Sequence, residues 1–384
     1  MFGKKVYFLL CLLIMAIMLG GCGDKEPEKI KIGLLNEMTG GNATLGTSST
    51  NGAKLAFKEI NEQGGILGKK VELIVADNKS EPAEAANAMT KLIGDGVVAV
   101  TGTFSSSNAI SAATVAENSK MPYLVAGATN PKVTVDEKTG NVRNFIFRVC
   151  FIDPFQGTVA ANFMSNDLNL KKAVIIVDNS SDYSKGLAVF FREALEKNGG
   201  QVLAEEAYLQ KDQDFMAILT KIKALNPEVI YIPGYYEEVG KIIKQGKELG
   251  INAVFLGADG WDSPKLVEIA GAEALNNTYF SNHYSVDATD EASKAFVAKY
   301  EKEYGQKPDA LSVLGYDGAY VLADAIKRAN STDPAKIAEA LAQTKDLKGI
   351  TGNMTLNDTH DALKSAVIIE FKDGKQVFRA TVNP

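Results

Sequence analysis

Short apolar runs alternate along this chain with longer stretches whose apolar positions recur every three or four residues. The runs IKIGLL (30–35), VELIVAD (71–77), GVVAVTG (96–102) and MPYLVAG (121–127) read as strands. Between them, residues 48–63 place Ala53, Ala56, Phe57 and Ile60 on one helical face, and 82–94 and 105–119 follow the same period. A second series starts near residue 150. It predicts helices over 154–168, 184–198, 214–225 and 236–249, and strands over 171–178, 201–208, 228–234 and 252–259. Helical patterns then cover 288–303, 309–329 and 334–343, and short strands follow near 348–355, 366–371 and 375–380. Strand–helix–strand units with short turns predict an α/β fold built on parallel, doubly wound sheets. Two such series predict two lobes. The closing pieces are too few for a third sheet and are expected to complete the first two.

The N-terminus changes the compartment. Lys4 and Lys5 precede a run from Val6 to Leu19 that is almost wholly apolar. This run is short for a membrane-spanning helix but suits the core of a secretory signal. It ends in Leu19-Gly20-Gly21-Cys22, which resembles the bacterial lipobox. Cleavage is expected before Cys22, whose thiol would carry the lipid. The polar, Pro-containing residues after it, through 29, read as a flexible tether. Cys11 leaves with the signal, so Cys150, in the apolar context FRVCFI, is the remaining thiol and is expected to be buried and inert.

Composition removes several classes of function. Of 384 residues, 46% are apolar and 23% charged, which excludes global disorder. Net charge is −6; loss of residues 1–21 leaves 39 basic against 47 acidic residues and a net charge of −8, against a nucleic-acid surface. No segment after the signal has the length of uninterrupted apolar residues that a span requires, so the body is expected to be anchored by lipid alone. With two histidines, no metal site is expected and no cofactor is implied. The chain has no G-x-G-x-x-G after a strand, no phosphate loop, no G-x-S-x-G elbow and no H-E-x-x-H. His283 and His360 read as surface or loop residues. The pairs Glu205–Glu206 and Glu237–Glu238 read as solvated faces. These absences favour a binding protein over an enzyme.

Polar clusters stand where strands end, which is where open α/β sheets hold ligands. Gly102-Thr103-Phe104-Ser105-Ser106-Ser107 opens a helix and offers hydroxyl and backbone N–H donors to a carboxylate or phosphate, or simply caps the helix. Ala126-Gly127-Ala128-Thr129-Asn130-Pro131 offers small residues and a hydroxyl. The second series supplies Asp182-Tyr183, Tyr235-Tyr236 and Asp259-Gly260-Trp261. An anion-binding first lobe facing an acid-bearing second lobe suits a zwitterion.

Taken together, IGLLNEMTG (32–40), NGAKLAFKEIN (51–61), GGILG (64–68), TFSSSNA (103–109), GATNP (127–131), DYSKG (182–186), GYYEEVG (234–240) and GADGW (257–261) resemble, collinearly, the branched-chain amino acid substrate-binding proteins of ABC importers. The resemblance implies the type I periplasmic binding protein fold: two Rossmann-like lobes joined by a three-strand hinge. The first lobe is expected from 30–148 plus 283–355, and the second from 149–282 plus 356–384. It implies that Ser105 and Ser106 meet the ligand carboxylate, and that Gly127, Ala128 and Thr129 contact both charged ends. It further implies that Tyr235 and Asp259 hold the ammonium, Tyr183 covers the side chain, and Leu45 and Phe104 line its pocket. Asp259 departs from the Glu usual in relatives. Ser80 and Phe104 stand where several relatives carry half-cystines, so no disulfide is expected. The implied partners are a small amino acid and the importer's permease and ATPase, with the binding protein a monomer. A receptor for a urea- or amide-like solute, a sensing domain without transport, and a hydrolase lacking recognisable motifs stay open as alternatives.

Overall fold

The structure, a computed structural model, describes residues 28–384; the signal and Cys22 lie outside the described residues. β1 (Ile30–Asn36), α1 (Ala43–Glu62), β2 (Val71–Asp77), α2 (Pro82–Gly94), β3 (Ala99–Gly102), α3 (Ser106–Asn118), β4 (Tyr123–Val125) and β5 (Ile146–Arg148) follow in turn. Their five strands form a parallel sheet in the order β2-β1-β3-β4-β5. The chain then crosses to α4 (Asp153–Asn162), β6 (Lys172–Asp178), α5 (Asp182–Lys197), β7 (Gln201–Tyr208) and α6 (Met216–Leu225). β8 (Val229–Ile232), α7 (Tyr236–Glu248), β9 (Val254–Gly257), α8 (Pro264–Ala270) and β10 (Thr278–Asn282) continue the second unit. It returns through α9 (Glu291–Tyr304), α10 (Ala310–Ala329), α11 (Pro334–Ala342) and the hairpin β11 (Leu347–Gly349)–β12 (Gly352–Met354). It ends in β13 (Ala366–Lys372) and β14 (Lys375–Val382), the antiparallel edge of a seven-stranded sheet ordered β14-β13-β10-β9-β8-β6-β7.

The parallel part of each sheet repeats one winding: second strand, first, third, fourth, fifth. In such a sheet the strand order reverses between the first and third strands, and the loops at their carboxyl ends open a crevice. The two-lobe α/β fold expected from the hydrophobic pattern is therefore present. Two strands were not foreseen. β5 is only three residues long and lies in a run with no turn signal after it, and β10 (TYFSN) mixes polar with apolar residues yet is wholly buried. α1 begins at Ala43 rather than 48, so Leu45 sits in its first turn and not in a loop. α4 stops at Asn162 and gives way to a π-helical turn over Phe163–Asp167.

The late helices pack back on the first sheet. α10, buried along most of its length, lies against α1, and the pairs Lys58–Glu303 at 2.6 Å and Lys299–Glu59 at 3.0 Å join α9 to the same helix. Buried Arg148 pairs with Asp361 at 2.6 Å and donates to the Ala128 carbonyl at 2.8 Å, tying the first crossing to the last. Cys150 is buried, and burial pushes its thiol up to about 12. Glu238 corrects its assignment to a solvated face: it is buried and accepts the Lys211 backbone N–H at 2.8 Å. Among the described residues no helix is long and apolar enough to cross a membrane.

Candidate functional site

The first wall of the crevice is the loop after β3. Gly102 takes φ +114° and Thr103 φ +63°, a left-handed conformation that costs a β-branched residue of order 1–3 kcal/mol. Two bonds hold it there: the Thr103 N–H donates to Asn36 Oδ1 at 2.7 Å and its hydroxyl to the Leu35 carbonyl at 3.0 Å. Ser105 occupies the N-cap of α3 with no side-chain capping bond. The donors expected to serve an anion are partly spent. The N–H groups of Phe104 and Ser105 donate to the buried carboxylate of Glu37 at 3.1 and 3.3 Å, and the amides of Asn78 and Asn108 reach it at 3.0 Å each. The Gly127 N–H goes to the Thr103 carbonyl. Ser106 accepts the Asn130 N–H at 3.3 Å and so joins the two loops, while the Ala128 carbonyl turns to Arg148. Gly127 is required by packing: a Cβ there would come within 2.5 Å of the Phe104 ring. What this wall presents is the buried hydroxyls of Ser105 and Thr129, the latter beside the Asp153 carboxylate, with backbone N–H groups at the start of α3.

The opposite wall is an acid held by side chains. Asp259 follows β9 and is fully buried. Its Oδ1 accepts from Tyr183 at 2.7 Å and Gln156 at 2.8 Å, and its Oδ2 meets His283 Nε2 at 3.0 Å. A carboxylate offers about four lone-pair positions, so one remains open on Oδ2. Tyr183 both donates to Asp259 and accepts the Gly260 N–H at 3.0 Å, a double role that residue spacing does not reveal. Burial holds its hydroxyl well above the usual range, so it stays a donor. His283, expected at the surface or in a loop, lies in the loop after β10 but is buried: it stacks on Phe151 at 3.7 Å, and burial lowers its pKa against the pull of Asp259. His360 is a half-buried loop residue that stacks on Phe147.

Aromatic rings close the space between the walls. Tyr235 stacks on Tyr183 at 5.0 Å and meets Phe104 edge-on at 6.0 Å. Its hydroxyl crosses the crevice to Ser105 Oγ at 3.4 Å. Leu45, Phe104, Tyr183 and Tyr235 belong to one buried apolar cluster that spans both lobes. The rim is bonded too: Ser107 accepts the Asp182 N–H at 3.0 Å, Thr44 and Tyr236 share a bond of 3.1 Å, and Lys211 pairs with Glu81 at 2.9 Å. The lobes are closed on one another.

A family model described as periplasmic binding protein matches residues 29–376. The chain belongs to the periplasmic binding protein family. It is a family of solute-binding proteins rather than enzymes. This binding protein is 39% identical to a leucine binding protein, LivK, from Thermotoga maritima, over 92% of this chain and 99% of that one, with a TM-score of 0.87. It is 36% identical to the branched-chain amino acid transporter substrate binding protein LivJ of Streptococcus pneumoniae, solved with isoleucine, over 93% and 100%, also at 0.87. An amino acid binding protein of Pseudomonas aeruginosa is 33% identical over 334 residues, 87% of each chain.

Proposed function

We propose that this protein captures a branched-chain or similarly apolar amino acid outside the cell membrane and delivers it to the permease of an ABC importer. The observation that carries the reading is the meeting of opposite chemistries in one buried crevice. The Ser105 hydroxyl is joined through Tyr235 and the stacked Tyr183 to Asp259, with Leu45 and Phe104 in the same apolar cluster. A zwitterion with an apolar side chain satisfies both walls. Its carboxylate settles on the first lobe, its ammonium takes the open position on Asp259 Oδ2, and lobe rotation buries both. The closed state gains only by the ligand's preference for it over the open one. Micromolar affinity needs about −8 kcal/mol, within reach of two or three desolvated charge-assisted contacts and an apolar pocket. The similarity to LivK and LivJ supports the ligand class and the transport setting.

Cys22 would anchor the protein to the outer face of the membrane, with the segment to residue 29 as tether. Labelled palmitate should enter the wild-type chain and not Cys22→Ala. The ligand is tested by a thermal-shift series over the twenty amino acids, urea and simple amides, since a specific ligand stabilises by RT ln(1 + [L]/Kd). Leucine, isoleucine or valine should give the largest shifts. A shift with urea or amides alone would replace this reading with its alternative.

A further inference from the structure

The short turn that carries Asp259 ends in a second acid, Asp262, which is buried. Its own lobe grips it: Asn282 of β10 donates to Oδ2 at 2.9 Å and Gln376 of β14 to Oδ1 at 2.7 Å. The turn is pinned between the two acids by Trp261, whose indole N–H donates to the Ile232 carbonyl at 3.0 Å, and by the Asp262 N–H on the Asp259 carbonyl at 3.1 Å. Asp259 and Asp262 therefore move as a unit.

Asp262 also reaches the other lobe. Its Oδ2 accepts the Ala310 N–H at 2.9 Å. That N–H is the first of α10, one of the donors a helix cannot satisfy within itself. The helix's own cap, Asp309, accepts the Ser312 N–H at 2.9 Å and the Ser48 hydroxyl of α1, and leaves Ala310 to the second lobe. α10 cannot follow Asp262 when the lobes part. Gly52 and Gly315 let it lie so close to α1 that a Cβ on either would come within 1.8 or 2.1 Å of a facing carbonyl oxygen, so its start moves with the first lobe.

The bond that joins the lobes thus brings two carboxyl groups to one helix end. The groups that bond them are neutral: two amides, two backbone N–H groups and a hydroxyl. Both acids line a cavity of about 990 Å³ between the lobes, with Lys265 and Glu268 of α8, Asp287 after β10, Lys307 before α10 and Lys375 of β14 on its other sides. The Tyr300 hydroxyl of α9 feels the Asp309 charge as well. Burial and the Asp262 charge push the Asp309 carboxyl up to about 7. Opening the lobes withdraws Asp262 and admits water, which removes both causes.

We infer that Asp262 is a positioning residue for lobe closure, a cap that the second lobe supplies to α10 of the first, and that setting it against Asp309 makes closure take up a proton. This rests on the reading of lobe rotation around a ligand and adds that acid favours the closed form. The closed state holds the proton, so ligand affinity falls as pH rises toward 7 and levels off above it.

Calorimetry with isoleucine on the delipidated full-length protein, at pH 5.5, 7 and 8 and in buffers of different ionisation enthalpy, tests this on two variants. Asp309→Asn keeps a side chain able to cap α10 but has no proton to take up. From pH 5.5 to 8, wild-type affinity should fall about 10-fold or more further than that of Asp309→Asn, and at pH 7 wild type should take up about half a proton more per isoleucine bound. Other groups that titrate in this range, Asp153 among them, are common to both proteins and cancel in the comparison. Asp262→Ala should bind isoleucine about 10-fold more weakly than wild type at pH 5.5, where the cap alone is lost, and the deficit should shrink at pH 8, where a like charge is lost with it. A merely structural role would lower thermal stability and leave the affinity ratio the same at both pH values. Parallel pH profiles for wild type and Asp309→Asn, or wild-type affinity of Asp262→Ala at pH 5.5, would overturn the inference. Were isoleucine silent while another solute of the thermal series bound, the branched-chain reading would fall, and the same comparison with that solute would decide this one.

Discussion

The two walls of the crevice solve one problem in opposite ways. The first lobe uses backbone: a strained turn, a helix N-terminus, and small residues that let a phenylalanine ring lie against the chain. It has already answered its own strongest donors with Glu37. The second lobe uses side chains, with Asp259 held by Tyr183, Gln156 and His283. The first wall keeps the hydroxyls of Ser105 and Thr129 open to a ligand, and the second keeps one position on Asp259 Oδ2.

The sharpest break in that contrast is Asp259→Ala. It strands the ammonium in a buried site and should weaken leucine or isoleucine binding by about 2–5 kcal/mol, read by calorimetry. Unchanged affinity would remove the second wall from recognition.

Next comes the stability of the unliganded protein. Burial at the start of α4, with the Asp259 charge beside it, pushes the Asp153 carboxyl from 3.8 up to about 8, so between those values the folded state holds the extra proton. Wild-type stability should fall as pH rises through this window and level off above it, at about 1.4 kcal/mol per pH unit at most. The groups that set the window are Asp259 from the β9 loop, Arg148 from β5, and Thr129 and Asn130. The hydroxyl of Tyr231 on β8 feels Asp153 in return. Asp153→Asn should lose the slope and be more stable than wild type at pH 8 by a few kcal/mol in urea titrations. Parallel pH profiles for the two proteins would show that Asp153 ionises freely.

Smaller effects test the backbone wall. Gly127→Ala drives a methyl into the Phe104 ring and should cost about 1–3 kcal/mol of stability, with a matching loss of affinity as the ring leaves its place. Ser105→Ala removes one hydroxyl and the cross-crevice bond to Tyr235, and should weaken ligand binding by about 0.5–1.5 kcal/mol. If Ser105→Ala cost more than Asp259→Ala, the assignment of the two walls would be inverted.

Much of this architecture is legible in the chain because strand ends are local events. An apolar run followed by Ser105, Thr129, Tyr235 or Asp259 marks a carboxyl end from its own neighbourhood. The supporting residues are not legible, because what gives them meaning is distant. Gln156 meets Asp259 across 103 positions, and Glu37 meets Ser105 across 68. His283 stands in SNHYS, a context that reads as a polar loop until Phe151 and Asp259 are folded against it. Glu37 sits within a quoted strand end and passes for an ordinary acid, since nothing local announces that two amides and two N–H groups converge on it. Asp153 and Gln156 carried one usable signal, their i, i+3 spacing at the start of a helix in FIDPFQG.

The order in which the chain visits its lobes bears on how it is made. α1 is among the earliest elements to be synthesised, yet the helix that covers it, α10, begins only at Ala310. Through most of translation the first lobe thus carries an uncovered apolar helix, while the second can gather nearly its whole parallel sheet from one continuous stretch. Contacts of such long sequence separation are slow to form. The second lobe in turn waits for β13 and β14 to close the edge of its sheet, so a chain threaded through a translocase amino end first completes neither lobe until its last helices and strands have followed.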